Sequence, residues 1–173
     1  MLFYARAVTA RRAVPLGLLA LAELHRRRPA ATIALFGESR RIAAGFPAED
    51  LGVLEPAALA RAYAEATVGV VLSMTNPSLI GPEMLACGLP VVELDAEAMR
   101  AGFGAEGPLL LAPLDPLAIA EAIERLLDDR GERERRARQG IELARGRTWS
   151  AAAEAVEAGL REALARASTL PGS

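Results

Sequence analysis

Short apolar segments alternate along this chain with longer segments of helical character, and this alternation constrains the fold more than any other feature. The apolar segments, each suited to a buried strand, are residues 2–4, 32–36, 51–53, 68–72, 91–94 and 109–111. Strands that alternate with helices favour a parallel sheet covered on both faces. The sequence therefore predicts an α/β, Rossmann-like domain with a six-stranded parallel sheet.

The helical segments are recognised from end signals and from the spacing of apolar residues. They are residues 14–25, 56–66, 132–145 and 150–167, together with a helix that begins after Asp115. Asp115 suits an N-cap, and Pro116 suits the first helical position. Residues 132–145 are so heavily charged that they predict a solvated helix. The last helix carries an apolar side formed by Ala153, Val156, Leu160 and Leu164.

The length of 173 residues predicts one domain. We expect this domain to cover residues 1–168 and residues 169–173 to form a disordered tail. The first predicted strand begins at residue 2 without a lead-in, and Trp149 opens the last helix. The sequence therefore resembles a domain cut at a boundary, with an apolar surface that would face another domain or a second copy in a homodimer.

Composition excludes several classes of protein. The net charge is -2 and every lysine-or-arginine position is arginine, so no strong basic field favours nucleic acid as a partner. No apolar run approaches the roughly 20 residues of a membrane-spanning helix, which leaves at most a peripheral membrane association. The N-terminus lacks the order of a secretory signal, and we expect a cytoplasmic protein.

Several kinds of catalytic site lack their residues. No Gly-x-Gly-x-x-Gly follows the first strand, and no Gly-x-x-x-x-Gly-Lys-Ser/Thr occurs. His25 stands alone, without a metal-ligand cluster, and is predicted to have a helix-end or surface role. Ser39 and Ser73 lack an identifiable His/Asp constellation. Cys87 is predicted to be a small core residue of a buried helix. No catalytic residue is identified.

Two segments converge at the carboxyl edge of the predicted sheet, where ligands of such folds bind. YARAVTARR, residues 4–12, presents Arg6, Arg11 and Arg12 at a helix entrance, where guanidinium groups and free N–H groups suit a diphosphate. From spacing alone, an interpretation of these arginines as solvated loop residues has about the same weight as a diphosphate site. In the second segment, residues 73–94, Glu83 lies near a helix N-terminus and either stabilises the helix dipole or accepts hydrogen bonds from ribose hydroxyls.

The order of segments FYARAVTARR, ALFGE, LGVLEPAALARAYAEATVGVVLS, NPSLIGPEMLACGLPVVELD, DPLAIAEAIERLLDD and TWSAAAEAVE resembles the C-terminal domain of GT-B glycosyltransferases over nearly the whole chain. It is most similar to the rhamnosyltransferases of bacterial surface-glycan assembly, in which a TNPSL loop precedes the EMLACGLPVVEL helix and strand. The resemblance implies one Rossmann-like half of a GT-B fold.

The resemblance also implies a set of site residues. Those expected to bind the donor diphosphate are Arg6, Arg11, Ser78 and Leu79. Those expected near the nucleobase and ribose are Gly37, Glu38, Val53, Leu54 and Glu83, of which Glu83 matches the ribose-binding glutamate. Those expected near the sugar are Thr75, Asn76 and Pro77. Many retaining members carry a glutamate where this chain has Thr75, so the stereochemical outcome stays open.

The implied activity is glycosyl transfer from a nucleotide sugar, with dTDP-rhamnose as the expected donor, in surface polysaccharide or glycan synthesis. No cofactor or metal is expected, because the arginines would neutralise the leaving diphosphate. The acceptor would be bound by an N-terminal GT-B domain, so the isolated chain is expected to lack full activity. The alternative is a degenerate, non-catalytic binding module that docks through the Trp149 helix. A Rossmann epimerase or dehydrogenase is disfavoured by the missing glycines and by the absence of lysine.

Overall fold

The computed structural model describes residues 1–168 and the side chains of residues 1–166. Its strands are β1 (Leu2–Tyr4), β2 (Ala34–Phe36), β3 (Glu49–Asp50), β4 (Gly69–Val70), β5 (Val91–Leu94) and β6 (Leu109–Ala112). Its α-helices are α1 (Val14–Arg27), α2 (Pro56–Glu65), α3 (Ile80–Ala86), α4 (Glu97–Phe103), α5 (Pro116–Asp128), α6 (Arg130–Gly146) and α7 (Trp149–Ser168), and a 3-10 helix (Ala10–Arg12) precedes α1. The predicted disordered tail lies outside the described residues.

The strands form one parallel sheet in the order β3-β2-β1-β4-β5-β6. β1 is central, and Phe3 lies opposite Leu35 of β2 on one side and Val70 of β4 on the other. Because the strand order reverses at β1, the connections on its two sides diverge and leave a crevice outside the carboxyl ends of the strands. The predicted six-stranded parallel sheet is confirmed.

Alternate residues of β1 face two separate cores, as the period of a strand requires. Phe3 belongs to the core that α1 and α5 cover, whereas Leu2 and Tyr4 belong to the core that α2, α3 and α4 cover. The two cores lie on opposite faces of the sheet, and each fully buried apolar side chain stabilises the fold by about 1.5–3 kcal/mol. Helices on both faces are therefore confirmed.

The third strand lies earlier than predicted. It comprises Glu49–Asp50, both exposed, instead of residues 51–53. The backbone explains the difference: the N–H groups of Glu49 and Leu51 donate to carbonyls at the level of β2, and Gly52, with φ of 62°, then turns the chain away. An exposed edge strand does not require apolar residues. The apolar residues 51–53 belong instead to the turn that follows the strand. The second and fourth strands are also shorter than the predicted 32–36 and 68–72.

The prediction of a solvated helix at residues 132–145 is wrong for one face of α6. Gly140 is buried, and a Cβ there would lie 3.0 Å from Leu85 Cβ of α3. Arg136 is buried as well, because its Nη1 donates to the carbonyls of Gly107 at 2.7 Å and Leu109 at 2.6 Å, while its Nε donates to Glu132 at 2.8 Å. A fully bonded guanidinium can be buried, which charge density in the sequence does not reveal.

Cys87 is exposed at the C-cap of α3, so its prediction as a core residue is wrong. The helix α3 is short and ends at Ala86, which leaves the thiol beyond its buried face. The helix-end prediction for His25 is confirmed: it lies in the last turn of α1, with its ring 6.2 Å from that of Phe46. The Asp115 N-cap is confirmed too, since its Oδ1 accepts the Ala118 N–H at 2.8 Å.

The last helix, α7, is exposed along its described length. Its apolar side chains stand in solvent, with Trp149 83%, Val156 64% and Leu160 61% exposed. None of the helices in residues 1–168 combines the length and the apolar character needed to cross a membrane. The fold therefore presents an exposed apolar stripe on a helix that follows the sheet and its covering helices.

Gly17 provides a test of the core on which the sheet depends. A Cβ at this position of α1 would lie 2.3 Å from the ring tip of Phe3, which is fully buried. We expect Gly17→Ala to lower the free energy of unfolding by about 1–3 kcal/mol, because overpacking outweighs the helix propensity gained. Urea denaturation measures the change.

The matched control is Gly102→Ala in α4, where a Cβ would meet nothing within 4 Å. This variant should be neutral or slightly stabilising. Equal effects of the two substitutions would contradict the close approach of α1 to β1.

Candidate functional site

A cleft of about 380 Å³ opens at the carboxyl ends of β1 and β2. The residues that line it are Tyr4, Arg6, Val8, Phe36, Gly37, Glu38, Ser39, Val53, Leu54, Leu59 and Ile80. Five of the residues predicted for the donor site therefore share this cleft, namely Arg6, Gly37, Glu38, Val53 and Leu54. The cleft lies where an open parallel sheet binds its ligands.

Gly37 shapes the floor of this cleft. Its φ of 96° lies in a region that side chains disfavour, and a Cβ there would lie 2.5 Å from Cε2 of Tyr4. The absence of a side chain lets the turn after β2 close over the end of β1. Arg6, exposed on the loop after β1, lines the same cleft and brings a positive charge beside this turn.

Glu38 is buried and binds the loop that carries Arg6. Its carboxylate accepts the Val8 N–H at 3.2 Å and the Ser39 N–H at 2.9 Å. The Val8 bond, helped by those of Arg40 and Ser39, holds the pKa of Glu38 below its ordinary value. Glu38 thus lines the cleft as a charged group that is already engaged with backbone donors.

Glu83 lies outside this cleft, in a neighbouring one of about 410 Å³ between α2 and α3. Leu54 and Leu59 line both clefts, so the two clefts are adjacent. The Tyr63 hydroxyl donates to Glu83 Oε2 at 3.4 Å, and burial together with the Glu83 charge raises the pKa of Tyr63. Sequence analysis assigned Tyr63 no role at the site and missed its contact with Glu83, the predicted ribose ligand.

The loop between β4 and α3 holds the remaining predicted residues. Thr75, Asn76 and Pro77 are exposed, with the Thr75 hydroxyl bonded to Asn76 Oδ1 at 3.0 Å. Ser78 is buried, and its Oγ accepts the Ile80 N–H at 3.3 Å, while Leu79 is exposed. None of these five residues lines the cleft at Arg6, so the structure places them beside that cleft and not in it.

The two remaining arginines of the first segment behave differently. Arg11 is exposed on the 3-10 helix and does not line the cleft at Arg6, but its carbonyl accepts the Met74 N–H at 2.9 Å. Arg12 is buried, and its Nη1 donates to Ser73 Oγ at 2.7 Å. The arginine segment is therefore joined to the start of the loop that follows β4.

Glu93 of β5 completes this buried cluster, and sequence reasoning gave it no role. Its Oε1 accepts the Ser73 N–H at 2.7 Å and the Leu94 N–H at 2.8 Å. Burial raises the pKa of Glu93 to about 7, although its bonds to Leu94 and Ser73 and the charge of Arg12 act in the opposite direction. A glutamate inside the apolar pattern VVEL was the one available signal, since a strand buried on both faces rarely contains an acid.

Within residues 1–168, the structure contains no group of three or more His, Cys, Asp and Glu side chains that could hold a metal ion. The charged side chains that line the two adjacent clefts are the exposed guanidinium of Arg6 and the carboxylates of Glu38 and Glu83, both of which accept hydrogen bonds.

Solved structures share this fold. Sucrose-phosphate synthase from Thermosynechococcus elongatus superposes with a TM-score of 0.76 at 24% identity, covering 95% of this chain and 45% of that chain. Anabaena Alr3699/HepE, crystallised in complex with UDP and glucose, superposes with a TM-score of 0.71 at 17% identity, covering 98% and 48%. The catalytic domain of cholesterol-α-glucosyltransferase from Helicobacter pylori gives a TM-score of 0.63 at 16% identity, covering 85% and 98%. These superpositions show that the chain has the fold of a GT-B glycosyltransferase domain.

The family follows from the sequence match. Residues 1–124 match the model described as the C-terminal domain of WsaF, and the chain belongs to that family. A curated relative, the D-inositol 3-phosphate glycosyltransferase of Frankia alni, is 36% identical over 134 residues, which are 73% of this chain and 33% of the relative. The chain thus spans about a third of this relative and under half of the synthase.

The raised pKa of Glu93 makes the stability of the protein depend on pH, and Glu93→Gln should remove that dependence. Because its pKa rises from 4.5 to about 7 on folding, the folded protein keeps a proton that the unfolded chain releases, and stability falls as pH rises through that range. We expect Glu93→Gln to match the wild type near pH 4 and to exceed it by on the order of 2–3 kcal/mol at pH 8. Urea denaturation across this pH range measures the difference.

Glu65→Gln, at an exposed position of α2, is the control and should follow the wild-type curve. If the curves of the wild type and Glu93→Gln stayed parallel from pH 4 to pH 8, the raised pKa would be refuted.

Proposed function

We propose that the chain binds the nucleoside diphosphate sugar donor of a glycosyltransferase. The observation that carries this proposal is the cleft where Arg6 meets the Gly37–Glu38 turn and the Val53–Leu54 turn, adjacent to the cleft that contains Glu83. A cationic group, a glycine turn and an apolar wall suit the diphosphate and base of a nucleotide. The curated glycosyltransferase relative and the HepE structure in complex with UDP and glucose support the same ligand class.

In the proposed reaction the diphosphate is the leaving group, and negative charge grows on it as the glycosidic bond to the donor breaks. Arg6 and Arg11 would stabilise that charge through guanidinium hydrogen bonds. Arginine suits this role because its guanidinium stays protonated and binds two oxygens at once. The proposal therefore assigns charge neutralisation to the protein itself and includes no metal ion.

The finer assignment is a donor of the dTDP-rhamnose type, used in surface polysaccharide or glycan synthesis. It rests on the TNPSL loop before EMLACGLPVVEL, which resembles that of bacterial rhamnosyltransferases. Thr75 in place of an acid also supports a deoxy sugar, since such a pocket would need fewer charged contacts. Thr75, Asn76 and Pro77 are exposed at the loop tip, where a sugar carried by the bound diphosphate could reach them.

We further propose that the acceptor is bound by an N-terminal GT-B domain. The synthase and HepE structures are about twice the length that this chain covers. The exposed Trp149, Val156 and Leu160 of α7 supply an apolar surface suited to such a domain. The same exposed helix supports the alternative, a non-catalytic module that docks a partner through α7 and binds no nucleotide.

Calorimetric titration with dTDP, UDP and GDP distinguishes these functions. We expect one of the three to bind and Arg6→Ala to weaken it by about tenfold to hundredfold, because a hydrogen bond to a charged group contributes about 1.5–3 kcal/mol. Arg11→Ala should weaken binding in the same direction. The sugar conjugates of the selected nucleotide then identify the donor.

The control is Arg130→Ala, which removes an exposed guanidinium of α6 paired only with Glu134 at 2.7 Å among the described contacts. It should bind like the wild type, since such surface pairs contribute little. Absence of binding by all three nucleotides would favour the non-catalytic module.

Glycosyl transfer provides a separate test of the proposal that another domain binds the acceptor. The purified 173-residue chain is expected to bind donor without transferring sugar to acceptors, because binding and orientation of both substrates are needed to lower the barrier. Radiolabelled transfer from the selected nucleotide sugar to glycan acceptors measures this. Turnover by the chain alone would show that it contains its own acceptor site.

A further inference from the structure

Three buried polar side chains from three different elements meet beneath the loop that follows β4. Arg12 of the 3-10 helix, Ser73 after β4 and Glu93 of β5 are only 7%, 1% and 3% exposed. Arg12 Nη1 donates to Ser73 Oγ at 2.7 Å, and the Ser73 N–H donates to Glu93 Oε1 at 2.7 Å. Ser73 therefore joins an arginine on one side to a glutamate on the other.

The cluster lies just beyond β4, where the backbone N–H groups no longer bond to carbonyls of a neighbouring strand. β4 pairs with β5 through Gly69 and Val70, and the Val71 N–H still donates to the Val92 carbonyl. Two residues further on, the Ser73 N–H uses the Glu93 side chain, and the Met74 N–H uses the Arg11 carbonyl of the 3-10 helix at 2.9 Å. Buried N–H groups require acceptors, so these two bonds fix the direction in which the loop leaves the sheet.

Stability alone is a poor reason for these residues. A buried acid and a buried guanidinium lose hydration that their interaction seldom restores in full, and apolar residues of similar volume are often equally stabilising. The polar cluster instead lies between the two segments predicted to contact the donor phosphates and sugar. On one side is the 3-10 helix with Arg11, and on the other are the exposed residues 75–77.

We propose that Glu93 is a positioning residue for donor binding: by accepting the Ser73 N–H, with Arg12 bound to the Ser73 hydroxyl, it fixes the loop of residues 74–79 and the 3-10 helix relative to the cleft. This inference rests on the proposed function. Glu93 itself is buried in β5 and does not line the cleft. Its action on the ligand is through Ser73.

Two substitutions of similar volume separate positioning from packing. Glu93→Gln keeps an oxygen that accepts the Ser73 N–H, whereas Glu93→Met removes the acceptor and fills the space. We expect the amides of Ser73 and Met74 to exchange hydrogen about tenfold faster in Glu93→Met and within about threefold of wild type in Glu93→Gln. The free energy of global unfolding, measured with urea, should be no lower in Glu93→Met than in Glu93→Gln.

The same variants are titrated with UDP, dTDP and GDP. For the nucleotide that the wild type binds, Glu93→Met should lose about tenfold in affinity and Glu93→Gln less than about threefold. If Glu93 were purely structural, its substitution would lower the unfolding free energy and the nucleotide affinity together. In that case Glu93→Gln would not bind nucleotide more tightly than a Glu93→Met variant of equal stability. Equal affinities and equal exchange in the two variants overturn the proposal.

Ser73→Ala keeps the inference testable if Glu93→Met does not fold. It removes the oxygen that Arg12 binds but retains the N–H that Glu93 accepts, so a loss of at least about threefold in affinity is expected, and wild-type affinity would overturn the Arg12 part. Failure of the wild type to bind any of the three nucleotides refutes the proposed function instead. In that case amide exchange still decides whether Glu93 positions the loop.

Discussion

The pairing of β1 with a parallel strand on each side is the constraint on which the rest of the structure depends. Because β2 and β4 flank β1, the chain must leave the sheet in two directions at its carboxyl edge. Phe3 holds this central strand in the core beneath α1, and Gly17 allows the helix to approach the ring. Divergence of the flanking connections leaves the cleft that contains Arg6, so packing at the centre determines where a ligand can bind.

The same divergence leaves backbone donors without strand partners, and carboxylates accept them. Glu38 accepts the Val8 N–H from the loop on one side of β1, and Glu93 accepts the Ser73 N–H from the loop on the other. Their electrostatics differ. Backbone bonds lower the pKa of Glu38, whereas burial raises that of Glu93 to about 7. Glu38 thus keeps a negative charge in the cleft at neutral pH, whereas Glu93, buried behind the loop that follows β4, has a carboxyl that changes its charge near neutral pH.

Much of the fold could be predicted because most strands of the sheet are buried, and buried strands appear in the sequence as short apolar segments. The 109–111 and 91–94 segments are examples. The edge strand Glu49–Asp50 could not be predicted, because an exposed strand is defined by hydrogen bonds to its neighbour and not by apolarity. Arg136 illustrates a second limit. Its burial depends on the carbonyls of Gly107 and Leu109, which approach it only in the folded chain.

The candidate site divides in the same way. Arg6, Gly37 and Leu54 share a cleft, as the resemblance to GT-B domains implied, because each follows a strand at the carboxyl edge of the sheet. The role of Glu93 could not be deduced, since its partners Ser73 and Leu94 reveal it only through three-dimensional geometry. An acid within VVEL was a sign of conflict between local pattern and burial, and such conflicts concentrate at functional or strained positions.

The apolar stripe of α7 and the cleft at Arg6 are both open to solvent. Trp149, Val156 and Leu160 remain in solvent, although each would stabilise a packed surface by a few kcal/mol if covered, at about 25 cal/mol per Å². The cleft at Arg6 likewise has walls from the sheet edge and from α3 but opens to solvent beyond them. Trp149, at the start of α7, lines a separate cleft together with Leu79 and Glu83. A domain that packed there would remove water from around the predicted ribose ligand, and charges interact more strongly when water is removed. Under the proposed function, donor affinity and domain association would therefore be coupled through the cleft that Trp149 shares with Glu83.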